Sequence, residues 1–378
     1  MIYFDHNSTT EFSPRVKDFV QNDLLKYWSN PSSSYDYGIN FTAEIRNCRR
    51  TIAKALKVPA PTLIFTSGAT ESINTVLSIK SLKNLGVKTI VTSILEHKAT
   101  LDSLKALEDD GFEVKFVKNG KDGVLDLDDL TSLAKTLKNA MFTFLMVNNE
   151  TGVINPISDI ERIVHGHQHY LHVDAVQALG KMPIDLTALN PDFASFSGHK
   201  IGSLKGIGLL YVKNQNQFTP LIRGGGQENG LRSGTTNYAG IKSFELALID
   251  SLSWNLKDLS MLKEHLEDEL QRISGVKINA RTAPRVLNTI NIQFVSQNAH
   301  EILNKLIVKK VFVSSGSACS SGSFDGSHVL KGLGLSNDQA SRCVRVSLGV
   351  SNTLEEVEYF LSVVRELLNS NFDVWPEL

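Results

Sequence analysis

The chain of 378 residues is 42% hydrophobic and 21% charged, an ordinary globular composition long enough for about two domains, which argues against disorder and coiled coil. Lys+Arg number 39 and Asp+Glu 40, leaving a formal charge of −1, so no basic field attracts nucleic acid and no acidic block forms a solvating tail. Its apolar runs are too short for a membrane span, the N-terminus lacks signal-peptide features, and Cys48, Cys319 and Cys343 are too scattered for a disulfide framework or a zinc site.

A soluble cytoplasmic enzyme is expected. From residue 62 to 212, short β-branched runs alternate with amphipathic segments. Residues 63–66 predict a strand and 70–85 a helix, with Ile73, Val76, Leu77 and Ile79 at helical spacing. Residues 88–93 read as a strand, 99–108 as a helix and 112–117 as a strand. The helix expected over 127–137 opens on Asp128 and Asp129, where the macrodipole favours negative charge. Residues 141–147 form the most apolar strand; 157–164 read as a helix, and 170–174, 193–197 and 208–212 as strands. Such alternation predicts an α/β unit, a mostly parallel sheet with helices on both faces.

Beyond residue 240 the texture changes. Residues 241–273 predict one long, breaker-free helix running from one domain to the next. A strand over 286–294, a helix over 300–306, a strand over 343–348 and a last helix over 354–368 compose a smaller α+β domain. The expected division is a large domain at 12–250 and a small one at 251–378, with an N-terminal segment 1–11 joined to them. One compositional bias stands out: residues 314–323 hold six Ser and two Gly around Cys319.

Several constellations could carry chemistry. Thr66-Ser67-Gly68-Ala69-Thr70-Glu71-Ser72 follows a strand and opens a helix, an arrangement that suits an anion or an ordinary capped turn. It lacks the Gly-Lys-Ser/Thr ending of a P-loop. Asp174 ends an apolar strand, at the edge where open α/β sheets bind ligands, and Lys200 follows another in Ser197-Gly198-His199-Lys200. A carboxylate and an amine at strand ends, beside a helix N-terminus, are what pyridoxal 5'-phosphate requires. Arg345 alternates with Val344 and Val346 on a short strand, so it needs a partner, either a substrate carboxylate or a structural acid. His165, His167 and His169 read as a helix C-terminus rather than a metal site. Cys319 lies in a polar loop, where a thiolate can act as a nucleophile; Cys48 and Cys343 read as structural.

Seven strings occur in register: Gly68-Ala69-Thr70-Glu71-Ser72, Glu96-His97-Lys98, Val147-Asn148-Asn149-Glu150-Thr151-Gly152, His172-Val173-Asp174-Ala175-Val176-Gln177, Ser197-Gly198-His199-Lys200, Arg232-Ser233-Gly234-Thr235 and Ser314-Ser315-Gly316-Ser317-Ala318-Cys319. Together they resemble the NifS/IscS-type cysteine desulfurases of the class V aminotransferase family, pyridoxal-phosphate enzymes of fold type I. The likeness runs from about Tyr3 to about Glu366. It implies an aspartate-aminotransferase-like large domain with a mostly parallel seven-stranded sheet. Lys200 would carry the cofactor's aldehyde, Asp174 pair with its ring nitrogen, Gln177 bond its ring oxygen, and His97 stack on the ring and assist proton movement. Ala69, Thr70, Ser197 and His199 would hold the phosphate, and Thr235 would reach the phosphate of a second subunit, making the unit a homodimer. Asn149 and Arg345 would clamp the substrate carboxylate.

The implied reaction converts L-cysteine to L-alanine, with Cys319 taking the sulfur as a persulfide. Acceptors implied are a scaffold for iron–sulfur cluster assembly or a tRNA-thiolation enzyme, with a transient cluster through Cys319 as one form of transfer. A selenocysteine lyase or small-amino-acid aminotransferase is the nearest alternative, and Cys319 speaks against the aminotransferase. A catalytically idle binding subunit is the other; joint retention of Lys200, Asp174, His97, Cys319 and Arg345 argues against it. The chain departs from the family pattern at Ser8, where alanine is usual, at Gly202-Ser203-Leu204-Lys205 after Lys200, and at Phe324-Asp325-Gly326-Ser327. It also ends soon after Cys319, without the tail by which housekeeping members dock a scaffold.

Overall fold

The computed structural model describes residues 1–315 and 326–369. The chain opens with β1 (Ile2–Tyr3), α1 (Pro14–Asn22) and α2 (Asp36–Leu56). Then come β2 (Leu63–Thr66), α3 (Ala69–Val76), α4 (Ile79–Asn84), β3 (Thr89–Ser93), α5 (Lys98–Asp109) and β4 (Glu113–Val117). They are followed by α6 (Leu127–Thr136), β5 (Met141–Leu145), α7 (Ile157–Gly166), β6 (Tyr170–Asp174), α8 (Leu186–Leu189), β7 (Phe193–Ser197) and β8 (Gly208–Val212). The remainder comprises α9 (Tyr238–Leu252), α10 (Leu256–Gln271), β9 (Val276–Ile278), β10 (Thr289–Phe294), α11 (Ala299–Val308), β11 (Val311–Phe312) and β12 (Ser314–Ser315). Last are α12 (His328–Gly332), α13 (Asn337–Ala340), β13 (Cys343–Ser347) and α14 (Leu354–Asn369).

Seven strands form one sheet in the order β2-β8-β7-β6-β5-β3-β4. Only β8 runs against its neighbours, pairing antiparallel with both β7 and β2. The sheet is therefore the mostly parallel, seven-stranded one expected. Strands β5, β7 and β8 are buried throughout, the mark of a sheet covered on both faces. A second sheet, β12-β13-β10-β9, is antiparallel and has its own apolar cluster with α10, α11 and α14.

The two expected long helices are each broken. The helix read over 70–85 ends at Val76, and a new one starts after Ser78, whose side chain accepts from Ser81 N at 3.2 Å. The stretch 241–273 is likewise two helices: the chain turns at Ser253 and Trp254, and the Asn255 side chain caps the second by accepting from Asp258 N. Neither break carries Gly or Pro. A side-chain oxygen supplied the alternative hydrogen bond that the helical spacing concealed.

The N-terminal segment crosses between the sheets. β1 pairs with β11, Phe4 is buried in the cluster of the second sheet, and Asp5 bridges to Ser347. The chain then reaches the large sheet, where Thr10 N donates to His199 O at 3.1 Å. No described helix is long and apolar enough to cross a membrane.

Candidate active site

Asp174 ends β6 and is the register partner of Leu145, the last residue of β5, and of Ser195, two residues before the end of β7. Asp174 thus stands at the sheet's carboxyl edge, and the chain leaving β7 makes a tight turn, Gly198–Lys200, that puts Lys200 beside it. A cavity of about 980 Å³ opens there. Among its lining residues are Ala69, Thr70, His97, Asn149, Asp174, Gln177, Ser197, His199, Lys200 and Arg345. The side chains named from the sequence therefore come together from six separate stretches. Thr235 is exposed and does not line this cavity, and Cys319 lies outside the described residues.

The N-terminus of α3 faces the cavity through Ser67, Gly68, Ala69 and Thr70. Its cap, Gly68, makes no side-chain hydrogen bond, so the first-turn N–H groups have no capping acceptor from it. Gly208 packs against this turn so closely that a Cβ there would lie 2.5 Å from the Gly68 carbonyl carbon. His199, whose Nδ1 lies 3.3 Å from Thr9 Oγ1, and buried Ser197 complete a polar cradle. This donor set fits a phosphate.

Burial raises the Asp174 carboxyl to about 6, only partly opposed by the Val176 N–H it accepts at 3.0 Å and by Lys200. Among the described residues it forms no ion pair, so a protonated ring nitrogen would supply its missing cation. His97 caps α5: its Nδ1 accepts from Ala99 N at 3.1 Å, leaving the proton of the neutral ring on Nε2. Burial, then Lys200 and His328, lowers its pKa to about 4, so the ring is neutral near pH 7. Lys200 Nζ donates to the Asn7 and Ser8 carbonyls, each at 2.7 Å.

Arg345 is 4% exposed and reaches the cavity from the second sheet. Its Nη2 donates to Asp5 Oδ1 at 2.7 Å and Ser8 Oγ at 2.8 Å, and its Nη1 to Asn149 O at 3.0 Å. Both readings of this arginine therefore meet here, a structural acid and a place on the cavity wall. Among the described residues, Arg345 Nε and Asn149 Oδ1 are buried without partners, a donor and an acceptor available to a bound amino acid.

Sequence reasoning passed over much of the supporting shell. Asn7 was unremarked, yet its carbonyl takes both Lys200 Nζ and Gln177 Nε2, and its side chain meets Asn149 O, Thr289 and Asn288. Glu150 accepts from Ser327 Oγ, and burial lifts its pKa to about 7 despite that bond and Arg345. His328 Nε2 lies 2.9 Å from Glu96 O, placing α12 on the cavity wall. For Ser8 the one signal in the sequence is its departure from the family pattern, where alanine is usual.

Cys48, Cys343 and the imidazoles of His165, His167 and His169 are occupied elsewhere. Cys48 and Cys343 are buried and both pushed up to about 12 by desolvation. His165 contacts Glu161 and Asp192, His167 the Ile163 carbonyl, and His169 the Ala134 carbonyl, so no two of the three rings share a partner.

The chain matches the class-V aminotransferase family model over residues 2–360. It is similar to cysteine desulfurase IscS of Dictyoglomus turgidum, 35% identical with 99% of this chain and 96% of that protein covered. A cysteine desulfurase of Trichormus azollae is 36% identical, covering 97% and 93%. Among solved structures, a NifS-like protein superimposes with a TM-score of 0.88 at 34% identity, covering 97% and 99%.

Proposed function

The chain belongs to the class-V aminotransferase family and is a cysteine desulfurase, and from that premise we propose how its residues divide the work. The reading is carried by one observation: Asp174, Lys200 and the N-terminus of α3 share a single cavity at the sheet edge. Pyridoxal 5'-phosphate, when bound, supplies an electron sink for negative charge at the substrate's α-carbon. Lys200 holds its aldehyde, Asp174 its ring nitrogen, Gln177 its ring oxygen and His97 its ring face. Ala69, Thr70, Ser197 and His199 hold its phosphate. We assign Thr235 to the phosphate site of a second copy; its exposure, outside the lining of its own cavity, supports a homodimer. So do the exposed apolar side chains Leu25, Trp28, Tyr35, Tyr37 and Ile39.

Arg345 and Asn149 take the carboxylate of L-cysteine, Arg345 through its unpartnered Nε–H and Asn149 through its side-chain N–H. Lys200, drawn away from the Asn7 and Ser8 carbonyls, accepts the α-proton. Neutral His97 stands beside it with Nε2–H available for proton movement. Cys319 thiolate attacks the substrate sulfur: an S–S bond forms as the Cβ–S bond breaks, Cβ keeps the electron pair and takes a proton, the α-carbon regains one, and L-alanine leaves. The role of Cys319 rests on its motif. The persulfide sulfur then passes to an acceptor protein in the cytoplasm, serving iron–sulfur cluster assembly or tRNA thiolation. Residues 12–250 and 251–378 act as the large and small domains, joined by segment 1–11; their separate apolar clusters support that division.

Incubation with L-cysteine followed by mass mapping tests this reading, with a sulfur adduct on Cys319 expected. Cys319→Ala is expected to bind cofactor and L-cysteine yet form no adduct. Undiminished alanine and sulfide release by that variant would instead mark a lyase.

A further inference from the structure

Lys181 is a buried amine that the reaction leaves unused. It is 5% exposed, and among the described residues no carboxylate forms an ion pair with it. Its Nζ donates to Gln177 Oε1 and, at 2.7 Å, to Asn7 Oδ1. Gln177 Nε2 in turn donates to the Asn7 carbonyl at 3.0 Å, the same oxygen that accepts from Lys200 Nζ. Lys181, Gln177 and Asn7 thus close a ring of hydrogen bonds to which Lys200 is joined through the Asn7 carbonyl, and Lys181 is the one of these four that does not line the cavity.

We propose that Lys181 is a positioning residue that sets the amide of Gln177 with its N–H, rather than its oxygen, available to the cofactor's ring oxygen, and steadies the Asn7 carbonyl against Lys200. The inference rests on the pyridoxal-phosphate reading of the cavity. A glutamine amide presents a donor on one side and an acceptor on the other, and nothing in its shape chooses between the two orientations. A lysine amine chooses, because its N–H groups must meet an oxygen. With Oε1 held by Lys181, the Nε2 group carries two hydrogens: one goes to Asn7, and the other remains for the cavity that Gln177 lines.

The arrangement is costly, which argues against a role in packing alone. Burial disfavours an unpaired cation, and the charged or titratable groups around Lys181 are His6, Lys200 and Arg345, with no acid among them. Burial and the two cations together hold its pKa well below the usual lysine range. The proposed role survives loss of that charge, because a neutral amine keeps two N–H groups for its two acceptors. A methionine of similar length would fill the same space at lower cost.

The test reads the visible absorption band of the lysine-bound cofactor against pH in the purified holoenzyme. A donor to the ring oxygen stabilises its anionic form, so removing that donor makes the lysine-linked nitrogen more basic. Lys181→Met is expected to raise the midpoint by about one pH unit. It should also weaken pyridoxal 5'-phosphate binding to the cofactor-free protein about tenfold. Gln177→Met should give the same direction, and Lys181→Met placed on Gln177→Met should add no further shift. If Lys181→Met does not fold, Lys181→Gln read with and without Gln177→Met makes the same comparison with a smaller shift. An unmoved midpoint in a coloured Lys181 variant, or equal shifts with and without Gln177, would overturn the proposal. A wild-type protein that develops no band would instead overturn the reading of the cavity on which it rests.

Discussion

The two sides of the cavity are built differently. On the large-sheet side, backbone elements do the placing: Asp174 stands where β6 ends, Lys200 where β7 turns, and Ala69 where α3 begins. On the second-sheet side, side chains do it. Arg345, Asn149 and Asn7 come from stretches far apart in sequence and are fixed by bonds to one another. Hydrogen-bonded strand ends are rigid by construction, whereas a side-chain network is only as rigid as its least satisfied member. Chemistry that needs a fixed ring and phosphate sits on the first side. Recognition of a substrate that must enter and leave sits on the second, with Arg345 Nε and Asn149 Oδ1 left open.

Four substitutions sharpen this contrast. The largest expected effect is at Lys200, where the two sides meet: Lys200→Ala should abolish the borohydride-reducible cofactor adduct and lower turnover by at least about 10³-fold with fold retained. Next is Asn7→Ala, on the networked side. Loss of its amide takes one of two acceptors from each of Lys181 and Asn288, and chemical denaturation should show a loss of about 2–4 kcal/mol.

Asp174→Asn works in the opposite sense on the cofactor-free protein. The folded pKa of Asp174, about 6, lies above its unfolded value near 4, so its stability contribution is full below pH 4 and lost as pH rises through 6. Replacement should therefore raise the melting temperature at pH 8 by the equivalent of about 2–3 kcal/mol and leave it unchanged at pH 4, while activity falls. Equal effects at both pH values would show that burial is not what strains this carboxyl. The smallest effect belongs to Arg345→Lys, which keeps charge but loses the fork: KM for L-cysteine should rise about tenfold with the cofactor band intact. A changed band would mean the two sides are not separable.

The same contrast explains what could be read from the sequence. Strands such as β2, β5 and β6 announced themselves as short apolar runs between turn signals, and the residues at their ends followed from the architecture. The breaks at Ser78 and Asn255 were hidden because a capping side chain, rather than Gly or Pro, makes them. Arg345 could be picked out as a buried arginine needing a partner, but Asp5 as that partner could not, since the pairing joins opposite ends of the chain. Lys181 after Gly180 looks like any surface lysine; only the fold reveals that it points inward between Gln177 and Asn7. Long-range side-chain contacts leave no periodicity behind, so this half of the site was the less legible one.

The course of the N-terminal segment bears on how the protein is made. Residues 1–10 leave the ribosome well ahead of their partners, since those of Asn7 include Ser347 and those of Asp5 include Arg345. A separation of 340 residues gives this part of the site a very high contact order. Until then Lys200, some 190 residues downstream of Ser8 and Thr10, has no settled pair of carbonyls to hold its amine. Maturation of the reactive lysine is thereby tied to synthesis of β13, and a product that stops before it is left with a large sheet but an unfinished centre.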